Sequence, residues 1–315
     1  MAEQIEHIIA AQRIGEQIYV LQVSYEEGDA LNMVGQVFRT DRMRDGLSNP
    51  VLNTNDALAC LWRSPSGNLW VGSSAGYVWT TAPVKWPAPS NRALEFQVFE
   101  RQWQVTALPD LSSMQFAPNV TCIWGTSDSN VYAGAFEGAI YHWDGRTWTE
   151  MPTGLASCLN QIHGTDPMDI YCVGNDGVIL HCDGRGWMQI PFPGDGAKRS
   201  VLTGVRALSG DQVVICERQG RILTGNAKGF HITAISEVKL YGIAWFQGRL
   251  ILAAGPDGVY EIGPDGPVRL KGKIQTVGVA ELDDQLAFFE PAQEPKPRYI
   301  EYDPVAASKW VWRVV

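Results

Sequence analysis

No run of about twenty apolar residues occurs anywhere in the chain, so no helix of membrane-spanning length is expected. The opening MAEQIEHIIAAQ has no basic leader followed by an apolar stretch, so cytoplasmic residence is the expectation. The six cysteines (Cys60, Cys122, Cys158, Cys172, Cys182, Cys216) form no CxxC pair and no metal-like cluster. Cys172 and Cys182 fall on neighbouring strands, but without a secretion signal reduced thiols are expected. Also missing are the GxSxG nucleophile elbow, HExxH, a phosphate loop and a dinucleotide fingerprint. No motif implies a cofactor or a metal. Charge is sparse, at 19% of residues, and unbalanced: the net charge is −9 and the pI about 5.1. An acidic surface repels phosphate backbones and anionic membranes, which disfavours both as partners and suits a basic one. Acidity also simply keeps a protein soluble.

What the chain has in quantity is glycine, 32 residues, and tryptophan, 12 residues. Glycine serves a chain that turns often, because it takes positive φ at little steric cost. Aromatics suit half-buried strands. With 45% hydrophobic residues, these features favour a compact all-β fold.

The deciding feature is internal. VTCIWGTSDSNVYAGAFEGAIYHWDGRTWTEMP from Val120 aligns without a gap to LNQIHGTDPMDIYCVGNDGVILHCDGRGWMQIP from Leu159, at an offset of 39. Ile123, Gly125, Thr126, Tyr132, Gly138, Ile140, His142, Asp144, Gly145, Arg146, Trp148 and Pro152 each meet an identical residue. Each unit reads as four short strands. Glu137-Gly138 or Asp176-Gly177 turns the second into the third, and Asp144-Gly145 or Asp183-Gly184 turns the third into the fourth, as a tight type I′ hairpin. Four antiparallel strands in about 40 residues is the size of one propeller blade.

The signal continues at Gly220 and Gly258, giving spacings from Gly138 of 39, 43 and 38. Upstream, CLWRSPSGNLWVGSSAGYVW matches at an offset of 62, aligning Trp62 with Trp124. A Pro-rich insert, TAPVKWPAPSNR, ahead of ALEFQVFERQ accounts for the excess length. Blades are therefore expected near 5–54, 55–115, 119–157, 158–199, 200–238, 239–274 and 275–315, forming one domain over 1–315. The fourth strand of the first blade is the least visible, and rings of six or eight blades remain alternatives. The units resemble bacterial β-propeller repeats with a W-G…VYA-G…G-I-H-x-D-G-x-x-W pattern, specifically over residues 120–191. Neither the Trp-Asp ending of WD40 blades nor the paired glycines of kelch blades recurs in both units, so neither family's partners carry over.

A residue that recurs in every unit is better explained by architecture than by catalysis. His142 and His181 occupy one repeat position and are expected to hydrogen-bond within their own blades. Asp144 and Asp183 supply the Asp-Gly chemistry of a turn. His7, His163 and His231 stand without a partner at metal-ligand spacing. Trp62, Trp124, His163 and Trp245 end innermost strands and should ring one end of the channel. There they either stack on a ligand or plug the gaps between blades. The turns from second to third strands carry Glu26, Glu27, Glu137, Asp176, Asp257 and Glu290, expected to surround one mouth and draw in a basic partner. Arg39, Arg42 and Arg44, interrupted by Asp41 and Asp45, read as a solvated loop. The connections 40–54 and 192–200 and the insert at 81–93 are candidate contact segments.

These features lead to a non-enzymatic, protein-binding propeller with a basic protein partner. Fold analogy extends this to an inhibitor, such as an immunity protein against a toxin nuclease delivered by a bacterial secretion system of type VI kind. The rival is a carbohydrate-binding or carbohydrate-active propeller that uses Trp62 and Trp124 as stacking platforms.

Overall fold

The computed structural model describes residues 4–41, 48–87, 94–109, 118–235, 237–263, 266–291 and 298–314. Seven antiparallel sheets follow one another along the chain, beginning with the innermost strands Gln4–Ile14, Leu58–Arg63, Val120–Ser127, Leu159–Asp166, Leu202–Ser209, Gly242–Phe246 and Gly278–Leu282. Each of these innermost strands lies against the next, and Gln4–Ile14 closes the circle against Gly278–Leu282. The chain is a seven-bladed β-propeller, and rings of six or eight are excluded.

An even number of strands returns the chain to the face it left, so every innermost strand starts on one face and ends on the other. We call these the entry and exit faces. Turns from second to third strands and the connections between blades lie on the entry face. Hairpins from first to second and from third to fourth strands lie on the exit face.

No single core holds the ring. The buried apolar residues fall into seven clusters, one in each gap between blades. Both faces of each blade are therefore covered, which is why the middle of a second strand can be apolar on both sides. Val131–Ala135 and Ile170–Gly174 are wholly buried. Polar latches supplement this packing in three consecutive gaps. Thr121 Oγ1 donates to the carbonyl of Leu159, Asn160 Nδ2 to that of Leu202 (2.9 Å), and Thr203 Oγ1 to that of Leu240 (3.1 Å). Thr203→Val keeps the shape and removes the donor. It is expected to cost about 1 kcal/mol, read as a lower urea midpoint with an unchanged slope.

Three local expectations are corrected. The third-to-fourth hairpins of the third and fourth blades are four-residue loops rather than type I′ turns. Gly145 and Gly184 take positive φ, but Asp144 and Asp183 do not. Instead Asp144 Oδ1 accepts the N–H groups of Arg146 and Thr147, both at 2.8 Å, and Asp183 Oδ1 accepts that of Arg185 at 3.0 Å. The connection 40–54 is not a long loop, because Ser48–Thr54 is the fourth strand of the first blade. Arg39 lies in the strand Asp29–Asp41, where it pairs with Glu100; Arg42, Arg44 and Asp45 lie outside the described residues.

The segment after the Pro-rich insert does something the repeat alone does not show. Phe96–Val98 leaves the second blade and becomes a fifth strand on the first, with Leu52 opposite Val98 and Thr54 opposite Phe96. The second blade is then completed by Gln104–Ala107. Within the insert, Trp86 packs edge-on against Trp70 and Trp143, at 5.7 and 5.4 Å between ring centres. Its described part, 81–87, is thus braced by aromatics, and residues 88–93 lie outside the description.

Candidate functional site

Toward the exit end of the channel, each innermost strand contributes a polar or aromatic side chain to one cavity: Gln12, Trp62, Trp124, His163, Arg206, Trp245 and Glu281. All seven line a cavity of about 510 Å³. Trp62, Trp124, His163 and Trp245 thus come together as expected at one end of the channel. Arg206 and Glu281 were not anticipated, although Arg206 in LTGVRALS stands where Trp124 stands in VTCIWGTS. Extending the repeat alignment past the recognisable glycines would have found it.

Polar contacts organise this ring. Arg206 Nε donates to Glu281 Oε1 at 2.8 Å, reaching past the intervening blade, and its Nη1 donates to the Val205 carbonyl at 2.9 Å. The same Glu281 oxygen accepts the backbone N–H of Trp245 at 2.9 Å. His163 Nδ1 accepts the backbone N–H of Ala207 at 3.2 Å, and Gln161 Oε1 accepts that of Val205 at 2.7 Å. Burial, reinforced by the Arg206 charge, pushes the His163 imidazole down to about 3. It is neutral at physiological pH and carries its proton on Nε2. At the mouth, Arg63 grips Asp283 through two bonds of 2.8 and 3.1 Å.

Trp62 and Trp124 fill gaps between blades and also border the cavity. A Cβ on Gly125 would lie 3.1 Å from the Trp62 ring, and one on Gly164 3.0 Å from the Trp124 ring. Each indole therefore tucks its far edge over a glycine of the next blade, while it also borders the cavity. Trp124 and His163 stand 5.6 Å apart. Trp245 is the most open of the three, at 39% exposure.

The acidic turns belong to the opposite, entry face, and none of them lines this cavity. Glu26, Glu27, Glu137 and Asp176 are exposed, with Asp176 accepting the Ser157 hydroxyl at 2.7 Å. Asp257 is half-buried, 3.9 Å from Arg269. Glu290 is buried beside Arg298 at 3.5 Å, and desolvation raises its carboxyl above the ordinary value. Beside Glu137 the face opens into a groove of about 670 Å³, lined by Pro118, Phe136, Tyr141, Glu150 and Leu155. Phe136 is 56% exposed. The connection 192–200 reaches the same face and contains one short turn of helix, Ala197–Arg199.

The repeated histidines serve their own blades. His142 Nε2 meets Asn130 Oδ1 at 2.6 Å and stacks on Tyr132, and His181 Nε2 meets Asp169 Oδ1 at 3.1 Å beside Tyr171. His7 stacks on Tyr25, and His231 lies 3.3 Å from Thr224 Oγ1. Among the described residues no group of three or more His, Cys, Asp or Glu is placed to hold a metal ion. All six cysteines are free thiols; Cys172 faces Leu180 and Cys182 faces Ile170, so the two are not opposite one another. No helix of the described residues is long and apolar enough to cross a membrane.

Comparison with known proteins supports the fold and stops there. No protein-family model matches this chain, and no curated protein matches it in sequence. Among solved structures, it is similar to a catalytically inactive variant of virginiamycin B lyase from Staphylococcus aureus solved with quinupristin. That match has a TM-score of 0.62 at 13% identity and covers 92% of this chain and 93% of the other. A chain of the mitotic checkpoint complex matches with a TM-score of 0.62 at 13% identity, over 98% and 89% of the two chains. YCF48 with a bound peptide matches with a TM-score of 0.55 at 10% identity, over 87% of each. One of these folds belongs to a lyase and two occur in protein or peptide assemblies, so the shared architecture does not select a function.

Proposed function

We propose that this chain is a non-catalytic protein-binding platform whose entry face captures a basic partner. The carrying observation is the groove beside the second-to-third turn of the third blade. It pairs an exposed aromatic, Phe136, with two carboxylates, Glu137 and Glu150. Glu26, Glu27 and Asp176 stand exposed on the same face. Such a surface suits a loop that offers an apolar side chain next to lysine or arginine. Buried apolar area supplies affinity, and the surrounding charge speeds encounter and rejects acidic competitors. The repeated histidines, already engaged within their blades, agree with a platform rather than an active centre.

In its sharpest form the partner is a toxin nuclease and the propeller its immunity protein. Nucleases carry basic surfaces for phosphate, and an acidic face can occupy that surface in place of nucleic acid. The support is the net charge of −9 together with the exposed acids of the entry face.

The test is capture of the native partner followed by substitution of Glu27, Glu137 and Asp176 with lysine. The partner is expected to be basic, and the triple variant to associate at least about tenfold more slowly at low salt, with a shallower salt dependence. An acidic partner, or an unchanged rate and salt slope, would remove the entry face from the account. For the immunity form, the captured protein should cleave nucleic acid and be silenced by the wild-type propeller but not by the triple variant.

A further inference from the structure

The exit end of the channel carries a second, independent feature: a built cavity whose ionised groups cancel. Among the described residues its cations are Arg63 and Arg206, and its anions are Asp283 and Glu281. Each cation is bonded to one of the anions, Arg206 to Glu281 and Arg63 to Asp283. His163 adds no charge. A charged ligand entering here would lose its hydration and meet no unmatched counter-charge, which is costly. The cavity therefore selects against free cations, despite its indoles, and against anions, despite its arginines.

What remains favoured is a neutral ligand with one apolar face and a polar edge. Three indoles border the cavity, and Trp245 exposes the largest share of its surface. Between them sit rigid planar hydrogen-bonding groups. The Arg206 guanidinium uses two of its five N–H donors in its bonds to Glu281 and the Val205 carbonyl. Glu281 is held in turn by the Trp245 backbone N–H, and the Gln161 amide by that of Val205. A group fixed before the ligand arrives loses little freedom on binding.

We propose that this cavity binds a neutral pyranose sugar, stacked on the indoles of Trp124 and Trp245 and hydrogen-bonded by Arg206 and Glu281. The axial C–H groups of a pyranose present an apolar face to an aromatic ring. Its hydroxyls both donate and accept, as a guanidinium–carboxylate pair requires. A volume of about 510 Å³ lies within the ordinary range for small-molecule sites and exceeds the needs of one sugar ring. The site faces away from the protein-binding face and does not depend on it.

Calorimetric titration tests this with glucose, galactose, mannose, N-acetylglucosamine and their common disaccharides. Choline and glucuronate serve as the cationic and anionic probes. At least one neutral sugar should bind, and Trp245→Ala should weaken it about tenfold, equivalent to about 1.4 kcal/mol. The exposed Trp245 can be removed without opening the core, so the variant's unfolding midpoint should match the wild type. Trp124→Phe should weaken the same sugar while still covering Gly164. The entry-face lysine variant should bind it normally. Three outcomes overturn the proposal: no neutral sugar bound below about 10 mM, preference for choline or glucuronate, or sugar affinity unchanged in both tryptophan variants.

Discussion

Replacing Trp70 with alanine is expected to lower the free energy of unfolding by about 3–5 kcal/mol, the range for deleting a large buried aromatic. Trp70 is fully buried and stands edge-to-face with Trp86 and Trp148. Its Nε1–H donates to Asp128 Oδ1 at 2.8 Å, and Asn68 Nδ2 donates to the other oxygen of the same carboxylate at 2.6 Å. The backbone of Asp128 in turn accepts the Trp143 indole N–H at 3.0 Å. One side chain of the second blade thus holds the first-to-second hairpin of the third and seats the insert between them. Alanine leaves a cavity, strips a carboxylate of a donor and frees Trp86. The measurement is the urea midpoint with near-ultraviolet circular dichroism. Trp70→Phe, which keeps much of the packing but not the donor, should fall between the two. A cost below about 1 kcal/mol would mean that the aromatic box closes around the gap and is not its brace.

A second large effect should appear only with acid. The His163 imidazole stays neutral in the folded protein down to a pH of about 3, whereas in the unfolded chain it protonates near 6.5. Below pH 6.5 the unfolded state therefore binds a proton that the folded state refuses. Stability falls as the pH drops through the window from about 6.5 to about 3. His163→Asn keeps an acceptor for the Ala207 N–H and removes the titration. Between pH 7 and pH 5 the variant should gain about 2 kcal/mol relative to the wild type. Burial also lowers the His7 and His142 imidazoles, but their effect is common to both proteins and cancels in the difference. Urea unfolding at the two pH values decides the matter. Parallel losses in both proteins would show that His163 is not held neutral by its surroundings.

The ring was legible because a blade must repeat its turns. Gly138, Gly177, Gly220 and Gly258 each take positive φ at the same corner, so their spacing survives where the side chains between them have diverged. The aromatic end of the channel was legible for a related reason, since Trp62, Trp124 and His163 align in the repeat. Arg206 stands at that same repeat position, but its bond to Glu281 was not legible, because pairing across a ring leaves no periodic trace in one sequence. The acidic turns show the same division. Their common face follows from strand parity. That Glu290 is buried against Arg298 while Glu137 stands open depends on packing that no spacing reports. The fifth strand was hidden too: Phe96–Val98 is only three residues long and pairs with a blade already complete without it.

The seam between the first and last blades joins the parts of the chain that lie farthest apart in sequence. Latches between neighbouring blades join residues 37 to 42 positions apart, whereas the Arg13–Asp284 ion pair across the seam joins residues 271 apart. Loop closure grows only logarithmically with length, so drawing that last pair together costs about 2 kcal/mol more than a neighbouring pair. Consecutive blades can thus condense locally as they become available, and the penalty of the long-range topology falls on a single late event. Ile8, Ala11 and Val20 meeting Leu282, Ala287 and Phe289 turn an open, curved array into a circle.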